Sequence, residues 1–495
     1  MKRFLRALGN LKCGEKALGI SLLCAATTIL LPAQTFTTLH SFDNTDGTAV
    51  GAGLLEALDG NLYGTTGAGG TNKQGTVYKL TPTGSLTTEY NFCAPLACSD
   101  GAYPQGALTQ GSDGTLCGTT SEGGTGSGGT FFKITLGGTL TTLYSFCSQS
   151  GCADVFSPEA ALLQAPNGDF YGTTYGGGSN GNYGTVFKIT PSGSLTTLHS
   201  FCSEAACADG YGPIAPLVQS PDGNIYGTTL LGGTCAVAAG CGTLFKITPE
   251  GALITLHTFC VQGYPRCPDG SDPTALVQAA GGDLYGTTEE GGAYGGPYGA
   301  GTVYKITPSG TLTTLHSFDG TDGDVPDGLV QANDGNFYGT TNIGGLGGSK
   351  SQGIGTIFEM TPSGALTSLY SFCLEHGCPD GNNANGIIQS TNGDFYGTAY
   401  LGGSSGNGTA FSLSVGLPAF VRAQPSYGSV GQVVKLWGHV AGATRVTFDG
   451  TPTTFAVVSS SEITTTVPAG ARSGAVQVVT PSGTLSGNVS FTVLP

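Results

Sequence analysis

Apolar and polar residues alternate in short runs along most of this chain, and each run ends at Gly, Asn, Asp, Pro or Ser. Residues 161–201 hold one full cycle: ALLQ, DFYGTT, TVFKIT and SLTTLHSF, four runs of strand length rich in β-branched and aromatic residues. Turn chemistry separates them. Asn167-Gly168 suits a two-residue hairpin that needs positive φ, and Pro191-Ser192-Gly193 suits a type I turn closed by a left-handed glycine. A Gly-rich loop joins the second run to the third. The cycle therefore predicts a four-stranded antiparallel meander, strands a to d.

The cycle recurs seven times. Strand b carries the markers Tyr63, Cys117, Tyr171, Tyr226, Tyr285, Tyr338 and Tyr396, each followed by Gly-Thr. Seven positions before each marker stands Glu56, Gln110, Gln164, Gln219, Gln278, Gln331 or Gln389. A period of about 55 residues with four strands per repeat predicts propeller blades rather than a solenoid, whose repeats are shorter.

The ends of the array predict a closed ring. Residues 35–42, TFTTLHSF, form a strand of type d with no a, b or c before it, and the last repeat has a, b and c but no d. Joined, they complete a seventh blade and remove the sheet edges that an open array would expose. The expected fold is all-β: a seven-bladed β-propeller over residues 35–415, closed by its N-terminal strand, and a small immunoglobulin-like β-sandwich over 418–495, where Leu417, Pro418 and Pro425 mark a boundary and the alternation changes character.

Composition changes this picture little, and charge narrows it. The 86 glycines would suggest disorder, but 39% hydrophobic residues at regular spacing fit many strands joined by tight turns. A net charge of −15 with only 10% charged residues disfavours nucleic acid and anionic membranes as partners. Residues 1–33 have the form of a secretory signal, with Lys2, Arg3, Arg6, Lys12 and Lys16 before an apolar run from Ala17 to Leu31 and a cleavage point at Ala33. The alternative is an N-terminal membrane anchor, for which the run is short. No later stretch is apolar for long enough to span a bilayer.

Cysteine usage points the same way. Twelve cysteines fall into close pairs: Cys93 with Cys98, Cys147 with Cys152, Cys202 with Cys207, Cys235 with Cys241, Cys260 with Cys267, and Cys373 with Cys378. All but the Cys235 pair sit in the loop from strand d to the next strand a. The two d-to-a loops without cysteine, FDNTDG and FDGTDG, are shorter, so the insertion and the pair arrive together, as a local disulfide staple would. Zinc is the competing reading, but no histidine accompanies the pairs in a ligand spacing. Cys117, in place of a marker Tyr, is expected to be a buried free thiol.

The d-to-a and b-to-c loops lie at one end of such blades and collect all the length and sequence variation, so a ligand is expected on that loop face. Tyr175, Tyr183, Tyr294 and Tyr298 are its candidate binding aromatics. The residues Glu56 to Gln389 that precede the markers could form an axial polar ring; the plainer expectation is that they satisfy backbone groups or channel water. No cofactor is expected. The Asp-rich short loops, with Asp43 and Asp46 in one and Asp319, Asp322, Asp324 and Asp327 in the other, offer oxygens to calcium without matching a known calcium loop. Ser179 and Ser404 lie in G-x-S-x-G matches inside Gly-rich loops with no following helix, which excludes a nucleophile elbow. His40, His199, His257 and His316 share one position of strand d with Tyr90, Tyr144 and Tyr370, an interchange that does not fit a metal ligand.

Through YGTT, GTVFKITPSG and LTTLYSF, the repeats resemble the bacterial GloVer tandem repeat over nearly all of residues 35–415. Through QPSYGSVGQVVKLWG, VTFDGTPTTF and AVQVVTPSG, the last segment is similar to an IPT/TIG domain. The first resemblance implies export, often with a C-terminal anchor or sorting signal that this chain does not show; the second implies a spacer or interaction module. Neither supplies catalytic residues. The expected function is that of a secreted or cell-surface binding or scaffold protein for an extracellular glycan or protein. A polysaccharide hydrolase or lyase on the same scaffold is the rival, and a structural envelope component the third reading.

Overall fold

The computed structural model describes residues 34–494 apart from 221, 236–240, 264–266, 280, 295–298 and 347–353. The expected leader at 1–33 and Tyr298 lie outside the described residues. Up to Ser414 the chain forms seven four-stranded antiparallel sheets, each ordered a-b-c-d. In the third sheet these strands are Leu163–Gln164, Phe170–Thr174, Thr185–Ile189 and Leu195–Ser200. The first strand, Thr35–Ser41, pairs antiparallel with Thr409–Ser414 from the end of the array, Thr35 opposite Ser414, and supplies strand d of the last sheet.

One expected turn differs. Asn167-Gly168 does not form a two-residue hairpin: Gly168 N donates to Ala165 O and Ala165 N to Asp169 O, with only Gly168 left-handed at φ 88°. This is a type I turn closed by a bulged glycine, the same device as Thr190–Gly193 between strands c and d, where Gly193 has φ 89°. Asn167 instead hydrogen-bonds Asp169 through its side chain, which favours the four-residue turn.

The YGTT run of strand b is buried in every sheet, and each of its residues has a separate task. The tyrosine packs into the core shared with the next sheet, and Tyr63 and Tyr338 also reach back to the turn, donating to Asp59 at 2.9 Å and Asp334 at 3.0 Å. The glycine receives an aromatic ring of strand c: a Cβ on Gly172 would stand 2.6 Å from Phe187 Cζ, and the other six repeats hold a Tyr or Phe at the same place. The first threonine in most repeats donates across to the chain at or just before the next sheet's strand a, as Thr340 does to Asn385 O at 3.1 Å and Thr398 to Ala52 O at 3.2 Å; Thr119 has no such partner. The second shares a hydrogen bond with a threonine of strand c, as Thr174 does with Thr185 at 2.8 Å.

Packing follows from this. Each apolar core joins one sheet to its successor, for example Val77 and Phe92 of the first sheet with Leu116 and Phe132 of the second. The sequence of cores returns on itself, since Tyr396 and Ala410 of the last sheet pack with Leu62, Tyr78 and Leu80 of the first.

Strand a comes in two lengths. In the first four sheets it has two residues, as in Leu55–Glu56, whereas in the last three it has eight, as in Ser271–Gln278. One extra residue separates the d-to-a loop from the Gln or Glu in the first four repeats, and the single-residue slip breaks the alternation that continuous pairing needs.

Beyond residue 421 two further four-stranded sheets share one core. Val434, Leu436 and Ile463 come from one sheet, Val446, Phe448 and Val478 from the other, and Phe491 packs with them. This module rests on the a-to-b turns of the repeats. Phe420 N donates to Thr391 O at 2.9 Å, Gln424 Nε2 to Gln110 O at 3.2 Å, Ser461 Oγ to Leu58 O at 2.8 Å, and Asn333 Nδ2 to Pro418 O at 2.8 Å. Among the described residues no helix is long and apolar enough to cross a membrane.

Candidate functional site

With the C-terminal module on the turn side, the opposite ends of the sheets carry the variable loops. Each d-to-a loop is closed by the aspartate of its Asp-Gly or Asp-Val pair, which takes a hydrogen bond from the His or Tyr of strand d. The distances are 2.6 Å for His40 to Asp46, 3.0 Å for His199 to Asp209 and for His257 to Asp269, and 2.7 Å for His316 to Asp322. In the other three loops Tyr90, Tyr144 and Tyr370 donate to Asp100, Asp154 and Asp380. His and Tyr interchange because both present a ring-borne donor to one carboxylate. All six expected cysteine pairs are bonded, five of them inside these loops, and Cys117 is a buried free thiol.

The inner rim of this face is where strand a begins and strand b ends. There a left-handed residue recurs in every repeat: Ala49, Tyr103, Ser157, Gly212, Asp272, Val325 and Asn383. Its backbone N–H reaches the previous sheet's b-to-c loop, Tyr103 to Gln74 O at 2.9 Å and Gly212 to Tyr183 O at 2.9 Å. The residue after YGTT or its equivalent stands beside it and is Gly67, Ser121, Tyr175, Leu230, Glu289, Asn342 or Tyr400. On repeats that are otherwise near-copies, these two positions carry almost every kind of side chain.

The rim carries tyrosines in the third, fourth and seventh repeats and an acidic side in the fifth and sixth. Tyr175 is 45% exposed and Tyr183 37%, and Tyr183 meets Tyr211 edge-on with centroids 5.4 Å apart. Tyr400, 41% exposed, adds a ring from the seventh repeat, and Tyr294, 60% exposed, lies farther out in a b-to-c loop. On the acidic side, burial and then the Glu290 charge push the Asp272 carboxyl up to about 7. Burial, followed by the charges of Asp272, Asp327 and Glu290, pushes Glu289 up to about 7. Burial also raises Asp327. These carboxyls feel one another across two adjacent repeats.

The other sequence candidates have local roles in the structure. In the ring of amides, Gln Nε2 donates to its own turn, as Gln164 does to Gly168 O, Gln219 to Gly223 O, Gln278 to Gly282 O and Gln331 to Gly335 O. Asp43 Oδ1 accepts from Thr45 N, Thr45 Oγ1 and Asp46 N, and Asp319 repeats the arrangement with Thr321 and Asp322. Among the described residues no group of three His, Cys, Asp or Glu stands close enough to hold a metal ion. A shallow cavity of ≈ 580 Å³ brings Ser179, His199 and Ser203 together outside the rim. It does not form a triad: His199 and Ser203 both bond Asp209, and Ser179 Oγ bonds Asn180. Asp272, Glu289 and Tyr211 were not singled out from the sequence, and Asp327 was named only as a calcium candidate, although aligning the seven repeats on YGTT places Glu289 level with Tyr175.

Comparison with known proteins identifies the repeats. The Gloeobacter/Verrucomicrobia repeat model matches residues 26–158, 148–294 and 237–444, and the IPT/TIG domain model matches 418–493. No curated protein matches the chain. Among solved structures, the extracellular domain of a protein assigned as a hybrid two-component system of Bacteroides thetaiotaomicron aligns at 11% identity and TM-score 0.48, over 93% of this chain and 58% of that one. PorZ, a surface component of the type-IX secretion system of Porphyromonas gingivalis, aligns at 14% identity and TM-score 0.46, over 88% of this chain and 58% of PorZ.

Proposed function

Because the chain belongs to the Gloeobacter/Verrucomicrobia repeat family and carries an IPT/TIG domain after its repeats, we propose that it is a secreted or cell-surface binding and scaffold protein whose ligand seats on the inner rim of the loop face. Its proposed architecture is a secretory leader at 1–33, a seven-bladed β-propeller at 35–415 closed by the N-terminal strand, and an immunoglobulin-like domain at 418–495. One observation carries the reading: repeats alike in most framework residues differ at the rim, where large aromatics stand exposed. A framework alone needs no such variety, and exposed tyrosines serve recognition of a glycan or a protein surface. Six disulfides favour an oxidising compartment.

The rival is a polysaccharide hydrolase or lyase. Asp272 and Glu289, held near 7, favour it, since carboxyls in that range exchange protons at neutral pH.

A glycan array probed with the full-length protein, followed by product analysis of each bound glycan, separates the readings. Binding without turnover supports the first and product release the second. Silence, with no protein ligand recovered on the loop face, leaves the structural envelope component. Tyr175→Ala combined with Tyr183→Ala is expected to weaken binding at least tenfold, or about 1.4 kcal/mol, by isothermal titration. The melting temperature should fall only slightly, because both rings stand at the surface and lose little beyond the Tyr183–Tyr211 contact.

A further inference from the structure

Six of the seven residues that end strand a are Gln, and the seventh is Glu56. A glutamine here closes its own turn through Nε2, as Gln110 does to Gly114 O. Where the preceding sheet's turn offers an N–H, its Oε1 accepts that as well: Gln110 from Leu58 N at 2.9 Å, Gln164 from Ser112 N at 3.0 Å and Gln389 from Asn333 N at 3.0 Å, whereas Pro166 has none to give Gln219. A carboxylate has no hydrogen with which to make the first bond. Glu56 therefore forgoes a contact that its counterparts keep, and something at its place in the ring must compensate.

Two features occur at that place. The turn preceding Glu56 belongs to the last sheet and presents hydroxyls, Ser390 Oγ donating at 2.8 Å, Thr391 Oγ1 at 2.7 Å and Thr391 N at 2.9 Å. The C-terminal module also sets Arg422 there, with Nη2 donating to Gln389 O, while Phe420 N donates to Thr391 O. Burial disfavours the Arg422 guanidinium, and the Glu56 charge acts in the opposite sense.

We infer that Glu56 directs the docking of the C-terminal module: the one charged member of a ring of amides, it places Arg422 over the seam between the last and first sheets. The short link from Ser414 to Arg422 keeps the module beside the last sheet, and among the near-identical turns within its reach only the Glu56 place carries a charge that favours a guanidinium. The chosen seat is where the N-terminal strand completes the array. Thr391 contacts both Glu56 and Phe420, so completion of the array and docking of the module support each other. This does not depend on what the loop face binds.

Trp437, the only tryptophan, pairs with Arg422 across adjacent strands and reports on the module. Glu56→Gln restores the amide of the other repeats. In full-length protein its Trp437 fluorescence should unfold at lower urea than the far-UV signal of the sheets, whereas in the parent the two transitions coincide. Arg422→Gln should do the same, and the double variant should go no further than either single one, since both remove one coupling. Gln219→Glu, away from the seam, should leave the Trp437 midpoint unmoved. The inference is overturned if Glu56→Gln leaves that midpoint at the parent value, or if the two single shifts add. Should Glu56→Gln lose the parent far-UV spectrum, Arg422→Gln decides alone: a lowered Trp437 midpoint supports the inference and an unmoved one overturns it.

Discussion

Asp209 shows how much one side chain does in these loops. It accepts from His199 Nε2, Ser203 Oγ and Ser203 N, the last at 3.0 Å, and is buried. Burial alone would raise its carboxyl, but the His199 and Ser203 hydrogen bonds outweigh it and bring it down to about 2. A carboxylate held below its unfolded value of about 3.9 stabilises the fold fully above that pH, and the contribution is lost as pH falls towards 2. Asp209→Ala should accordingly lower the unfolding free energy from urea titration at pH 7 by about 2 kcal/mol, and the gap between variant and parent should close progressively from pH 4 to pH 2. A gap that persists unchanged at pH 2 would assign the loss to packing instead. The four histidines and three tyrosines of strand d were visible as one position in the sequence; the aspartate they bond was not, because loops of different length separate the two.

At the scale of the element, each cysteine-bearing d-to-a loop has two closures. In the second repeat the disulfide Cys147–Cys152 spans five residues, and Asp154 bonds Tyr144, Ser148 and the Ser148 N–H. Replacing both cysteines with alanine should reduce stability by about 2 kcal/mol in equilibrium unfolding, the loop entropy of a short ring. Adding Asp154→Ala should lower it by less than the two losses added, since each closure keeps the loop near the geometry that the other needs and either single change already forfeits that help. Simple additivity would show that they act separately. Cysteine spacing made the staples legible beforehand. The division of strand a into two lengths was also present, as one extra residue in each of the first four repeats, but its effect is on pairing with strand b and appears only when the register is known.

For the whole molecule, the N-terminal strand matters most. Thr35–Ser41 covers the edge of Thr409–Ser414, Phe36 stacks on Tyr370 with centroids 3.9 Å apart, and Phe42 is fully buried against the first sheet. A chain starting after residue 42 loses this strand and both rings. It should expose one strand edge and one core, form oligomers on size-exclusion chromatography, and recover the monomer when a peptide of residues 34–42 is supplied. A monomer of parent stability without the peptide would show that the array holds without its terminal strand.

Taken alone, the sequence determined the number of repeats, the four strands of each, the cysteine pairs and the complementary fragments at the two ends, because these follow from alternation, turn residues and spacing along one chain. Tertiary structure decided which side chains share a surface: the tyrosines and carboxyls of the rim, the aspartate under each His or Tyr, and Arg422 at the Gln389 carbonyl. Such neighbours come from different repeats or from the C-terminal module, dozens to hundreds of residues apart, and only the packing of sheet on sheet brings them together.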